Sequence, residues 1–132
     1  MTSLARLEKA LEQIAKVGVR LRRDGFTKAT FVEPTTDLRI RLRQSYIVDA
    51  NVVSKNLDLK LNDPMRRKYP ELFQQAEGLH GQNTGVSTKI DWDEFWLTLT
   101  HRLPKDVAPL LEDAIEKEHI EKEKKTGDNS GN

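Results

Sequence analysis

The residues best suited to chemistry are few in this 132-residue chain and stand far apart. His80, His101 and His119 share no i, i+4 spacing and adjoin no carboxylate arrangement of a metal-binding kind, so the sequence points to no metal site. Asp91, Asp93 and Glu94 form a carboxylate cluster in which Asp91 reads as a helix N-cap and Glu94, three residues on, completes a carboxylate form of the capping box. Asp93 then falls on a polar face. The run Gly78-Leu79-His80-Gly81-Gln82-Asn83-Thr84-Gly85 could offer backbone amides to a phosphate. It lacks the Gly-Lys-Ser/Thr of a P-loop and the spacing of the dinucleotide fingerprint, and reads as a flexible loop. There is no Gly-x-Ser-x-Gly elbow for a serine nucleophile. With no cysteine there is no disulfide framework, thiolate metal site or cysteine nucleophile. These observations lead to the expectation of a non-enzymatic protein without a cofactor.

One constellation carries a binding chemistry, and it is basic. Arg39, Arg41 and Arg43 alternate with Leu38, Ile40 and Leu42. On a strand the three arginines stand about 6.6 Å apart along one face. With Arg66, Arg67 and Lys68 they could line a surface for nucleic-acid phosphates or for an acidic segment of another protein. Residues 1–70 hold 15 Lys and Arg against 8 Asp and Glu, and residues 71–132 hold 7 against 13, so a net charge of +1 conceals halves of +7 and −6. The competing reading is a solvated face, neutralised in part by Asp58 and an acidic last helix. No ribonucleoprotein string, zinc finger or other recognised nucleic-acid module occurs.

The elements that would position these groups follow from periodicity and punctuation. Ser3 can cap a helix in which Leu4, Leu7, Leu11, Ile14, Gly18 and Leu21 recur at steps of three and four, a short seam suited to its own domain or to a partner helix. Gly25 is its stop, after Arg22 and Arg23 at the negative end of the helix dipole. From Phe26 the grammar turns to strand: Thr27, Thr30, Phe31 and Val32, then the Leu38–Leu42 alternation, Tyr46-Ile47-Val48, a turn at Asp49-Ala50-Asn51, Val52-Val53, and Leu57, Leu59 and Leu61 alternating with Asp58 and Lys60. Asp63 with Pro64 opens a helical turn, and Tyr69-Pro70 opens another with Leu72, Phe73 and Ala76 inward and Gly78 as its stop. After a mobile loop over 79–89, Asp91 starts the aromatic helix, whose core face is Trp92, Phe95, Trp96, Leu99 and Leu103 and whose end is Pro104. A last helix, preceded by Asp106 or Ala108, opens with Pro109 in its first turn and has Val107, Leu110, Leu111, Ala114 and Ile115 as its apolar face.

The fold expected from this pattern is α+β: an N-terminal helix, a three-stranded antiparallel sheet, and three helices on one sheet face. Residues 1–116 form a single globular domain, followed by a charged helix end and disordered tail over 117–132. The function expected is a protein-interaction or assembly module, a small subunit or accessory factor of a larger complex. It docks through the Leu4, Leu7, Leu11, Ile14 and Leu21 seam or the basic face, to a protein partner or a second copy. The alternatives are sequence-tolerant DNA or RNA binding and, last, a small enzyme. No segment is apolar enough to span a bilayer and no signal-type start is present, so a cytoplasmic place without membrane association is expected.

Overall fold

The computed structural model describes residues 1–83 and 90–130, with side chains over 1–79 and 90–125, and every element in it is helical. The first helix, α1 (Ser3–Asp24), is capped one residue earlier than the sequence implies: the Thr2 hydroxyl accepts from the Ala5 N–H at 3.1 Å. Ser3 instead donates to Asp63 Oδ2 at 2.7 Å. At the far end Gly25 takes φ 69°, its N–H bonding the Arg22 carbonyl while that of Phe26 reaches back to Leu21, a Schellman closure that favours glycine. Leu7, Ala10, Ile14, Val17 and Leu21 are buried at alternating steps of three and four, with Leu4 and Leu11 half-buried beside them. The N-terminal seam is thus filled from within the chain.

The expected sheet does not form, and the α+β reading is corrected to an all-helical one among the described residues. Phe26–Val32, read as a strand, holds a short helix α2 (Lys28–Val32) started by a reciprocal Thr27–Thr30 capping box. Residues 38–57, read as two strands and a turn, form one continuous helix, α3 (Asp37–Leu57), whose Thr36 hydroxyl accepts from the Arg39 N–H at 3.2 Å. The reason lies in its inward face. Arg39, Arg43, Tyr46, Ala50, Val53 and Leu57 follow steps of four and three, a helical stripe whose first two positions are arginines rather than apolar residues. The alternation of Leu38, Ile40 and Leu42 is a coincidence of period two laid over that longer period. Leu57 closes α3, Leu59 is buried in the following loop, and Leu61 is exposed.

Asp63 caps α4 (Pro64–Lys68), with Pro64 at the helix start. The next helix, α5 (Pro70–Asn83), runs through Gly78, where the sequence placed its stop. Residues 84–89 of the expected loop lie outside the described residues. Asp91 caps α6 (Trp92–Leu97), its carboxylate accepting from the Glu94 N–H at 3.2 Å. Pro104 does not end this helix. The chain passes into a π-helical segment, Thr98–Val107, and on into α7 (Ala108–Ser130).

The widened segment has a cause in the sequence. Phe95, Leu99, Leu103, Val107 and Leu111, all buried, repeat at strict intervals of four. In an α-helix of 3.6 residues per turn that repeat drifts about 40° per step, whereas in the wider i→i+5 turn it drifts the other way, so a π segment between two α segments offsets the drift along the row. The Ala108 N–H bonds the Leu103 carbonyl five residues back, and Pro104, which has no N–H and whose ring obstructs an α-helical turn, sits inside the widened stretch.

Helix α1 packs against α3, α7 and the π segment, and α5 packs against α3 and the π segment. Near the junction of α2, α3 and α6 lies Phe31, fully buried, with the rings of Phe26, Tyr46, Trp92, Phe95 and Trp96 at centroid distances of 5.3, 6.0, 5.9, 6.1 and 5.1 Å.

Candidate functional site

The helix redistributes the arginines of the expected ladder. Arg39 and Arg43, four residues apart, share the inward side, and Arg41 points out. The Arg39 guanidinium lies over the Phe26 ring at 5.2 Å, and that of Arg43 over Trp92 at 3.7 Å. Arg43 Nη1 also donates to the Phe31 and Val32 carbonyls, each at 3.1 Å, satisfying the open C-terminal end of α2. Burial lowers the Arg43 pKa from its ordinary value. Arg39 Nη1 and Arg43 Nε are buried without a hydrogen-bond partner, and both belong to guanidinium groups held over aromatic faces. Arg66 is likewise engaged: it donates to the Leu59 carbonyl from Nε and Nη2 at 3.1 and 2.8 Å, lies over Phe73, and meets Glu77 at 3.6 Å. Three of the six basic residues therefore serve packing and capping, and no continuous ladder exists. Arg41 and Arg67 remain exposed.

Lys68 is held by the last helix. Its ammonium donates to Glu118 at 3.0 Å and Glu121 at 2.8 Å, and the adjacent Tyr69 hydroxyl donates to the same Glu118 oxygen at 2.7 Å. The Glu118 side chain is only 13% exposed. The hydrogen bonds to Glu121 and Glu118 raise the Lys68 pKa, and that with Lys68 lowers Glu121. Burial, then the bond to Glu118, pushes the Tyr69 hydroxyl up to about 12. One turn earlier along α7, Lys68, Tyr69, Leu72, Leu110, Asp113 and Lys117 border an open cleft of about 220 Å³.

A polar network that sequence reasoning did not single out joins α1 to α3. Arg20 pairs with Asp49, donates to Ser45 at 2.6 Å and lies over the Tyr46 ring at 4.5 Å, while Gln13 donates to Asp49 at 2.9 Å. The buried Tyr46 hydroxyl donates to Asp24 at 2.7 Å. Burial raises the Asp49 pKa against the opposing pull of Arg20, Gln13 and Lys16. Burial, with the neighbouring Asp24, also holds the Tyr46 hydroxyl protonated well above its usual range. On a helix Ser45 and Asp49 stand one turn apart, whereas a turn at Asp49-Ala50-Asn51 takes Asp49 off the strand, so that assignment could not disclose the cluster.

The outward side of α3 carries a second feature. Leu38, Arg41 and Val48 are exposed on it at spacings of three and seven, with the half-buried Val52 beyond them, while Ser45 between them turns to Arg20 in the α1–α3 network. Leu38 is 65% and Val48 63% exposed, and Ile40 is exposed nearby. The sequence contained this stripe, and the alternation with arginine concealed it.

The residues assigned to the aromatic helix line up on its inner side: Phe95, Leu99 and Leu103 are buried, and Trp92 and Trp96 are half-buried against the core. Among the carboxylates, Asp91 caps α6, Glu94 accepts from Arg102 at 2.9 Å, and Asp93 lies 3.9 Å from Lys28. The Glu94 side chain thus meets Arg102 where a full capping box was expected. His101 is exposed, His119 lies 3.8 Å from Glu8, and the His80 side chain is outside those described. Among the described residues no group of three or more His, Asp or Glu could hold a metal ion, and no helix is long and apolar enough to cross a membrane. Scans of protein-family models, curated proteins and solved structures give no match to this chain.

Proposed function

We propose that this chain is a non-enzymatic interaction module, a small accessory subunit that docks onto a protein partner in the cytoplasm. The observation that carries the reading is the outward stripe of α3. Leu38 and Val48 stand more than half exposed at helical spacing on a helix whose inner face packs against the rest of the chain. Apolar side chains recurring along one helix face suit a second helix laid against it, with Arg41 available to an acidic residue of the partner. The α1 seam offers a partner nothing comparable, because Leu7, Ile14 and Leu21 are buried in the chain's own core. The reading of nucleic-acid binding through a strand ladder loses its geometry, since Arg39, Arg43 and Arg66 turn to internal partners.

The test is quantitative affinity purification of the tagged chain from its native cells, comparing the wild type with Leu38→Asp/Val48→Asp. The variant is expected to keep its helical circular dichroism and melting temperature and to lose a defined set of co-purifying proteins. Sedimentation of both chains separates a foreign partner from a second copy. Identical eluates and identical sedimentation for a folded variant refute the docking face.

A further inference from the structure

We infer that Lys68 and Tyr69 form a carboxylate clasp for an acidic helical segment of a partner protein, occupied in the free chain by α7 itself. The present occupant defines the chemistry. Glu118 and Glu121, three residues apart, present two carboxylates on one side of a helix, and Lys68 bridges both while Tyr69 fixes the first. Two donors on consecutive residues hold a carboxylate that is largely withdrawn from solvent, a geometry specific for an anionic oxygen. The cleft beside the clasp adds apolar surface from the half-buried Leu110, with the buried Leu72 behind it, for a neighbouring side chain of the incoming segment.

The occupant is weakly anchored. Along α7 the fully buried positions end at Ala114 and the packed ones at Ile115, and from Glu116 to Lys125 no apolar side chain is buried. Polar contacts hold the distal half to the body, among them the clasp and the approach of His119 to Glu8. Of the two pairs in the clasp, Lys68–Glu121 is about half open to solvent on the glutamate side, and such a pair is weak in water and weaker in salt. A competing segment displaces α7 without dismantling the core that Leu111 and Ala114 enter. Displacement also frees Lys68 to stand beside the exposed Arg67, so the same step that vacates the clasp strengthens the local positive field. This inference concerns a different surface from the α3 stripe, and either can fail alone.

The experiment uses the full chain and a fluorescein-labelled synthetic peptide of residues 111–125, followed by anisotropy at low ionic strength, with hydrogen exchange as a second measurement. Glu118→Gln/Glu121→Gln vacates the clasp. The expected results are at least fivefold tighter peptide binding than wild type, loss of that gain when Lys68→Met is added, and faster exchange over 116–125 with α1 unchanged. Lys68→Met alone opens the clasp from the other side and must produce the same local loss of protection. Equal peptide binding by the wild type and the double glutamine variant, or unchanged exchange over 116–125 in both variants, overturns the inference.

Discussion

Replacing Phe31 with alanine tests the packing at its centre. The side chain has no solvent exposure, and five aromatic rings lie with centroids between 5.1 and 6.1 Å from its own. These neighbours belong to α3, α6 and the turn before α2, so they cannot close on the vacancy without moving helices that are fixed elsewhere. Truncation of a buried phenylalanine costs about 3–5 kcal/mol, and sites that cannot collapse lie towards the upper end, so a loss of about 4–5 kcal/mol is expected here. An unfolding entropy of about 2.1 cal/mol/K per residue over 132 residues gives about 0.28 kcal/mol/K. The melting temperature should therefore fall by about 14–18 °C, a large part of the stability available to a domain of this size. Because Trp92 and Trp96 both face Phe31, their emission should shift to the red in the folded variant. Phe31→Leu, which retains most of the volume, should cost less than half as much. A fall below about 4 °C for Phe31→Ala, with unchanged tryptophan emission, would show that these rings are not the organising core.

Three further perturbations address separate elements. Ala50→Pro falls in the interior of α3, removing a helix hydrogen bond and clashing with the preceding turn; a loss of about 3 kcal/mol or more in urea unfolding is expected, and a tolerated proline would restore the turn once read at Asp49-Ala50-Asn51. Gly25→Ala meets no atom within 4 Å, so its cost is only that of a left-handed backbone, about 1–2 kcal/mol by thermal melting; no measurable change would refute the Schellman closure. Asp49→Asn reports on the α1–α3 network. Burial raises the folded-state pKa of Asp49 above 3.8, so the folded chain takes up the proton first, and the charged form opposes stability above that raised pKa. The cost disappears as pH falls through the folded pKa towards 3.8. Asp49→Asn should therefore be at least as stable as the wild type at pH 7, with the difference closing near pH 4 in parallel denaturation curves. A loss above about 1 kcal/mol at pH 7 would mean that the pairing with Arg20 outweighs burial.

The parts of this fold legible in the sequence are those where local chemistry decides alone. Gly25 terminates α1, Asp63 with Pro64 opens α4, and Asp91 starts α6, because each uses a backbone group that only its immediate neighbours can satisfy. The proposed binding surfaces are less legible. Lys68 and Glu118 are fifty residues apart, and no local pattern announces that they meet.

The failure at α3 has a specific origin that also explains its architecture. Core-facing positions are ordinarily apolar, yet this helix begins its inward stripe with Arg39 and Arg43 and shows the apolar residues Leu38 and Ile40 to solvent. An arginine can take such a position when its stem lies on apolar surface and its planar head stacks on a ring, and Phe26 and Trp92 supply those rings. Trp92 of α6 therefore helps to make α3 readable as a helix, although it lies 49 residues beyond Arg43 in sequence. The strict four-residue repeat from Phe95 to Leu111 makes the complementary case. It crosses a proline that ordinarily ends a helix, and it departs from the 3.6-residue period. It becomes intelligible once the turn is wide enough to keep Leu99, Leu103 and Val107 in register. In both elements the inward face is continuous, and what departs from the familiar code is the side chain in α3 and the helical pitch after α6.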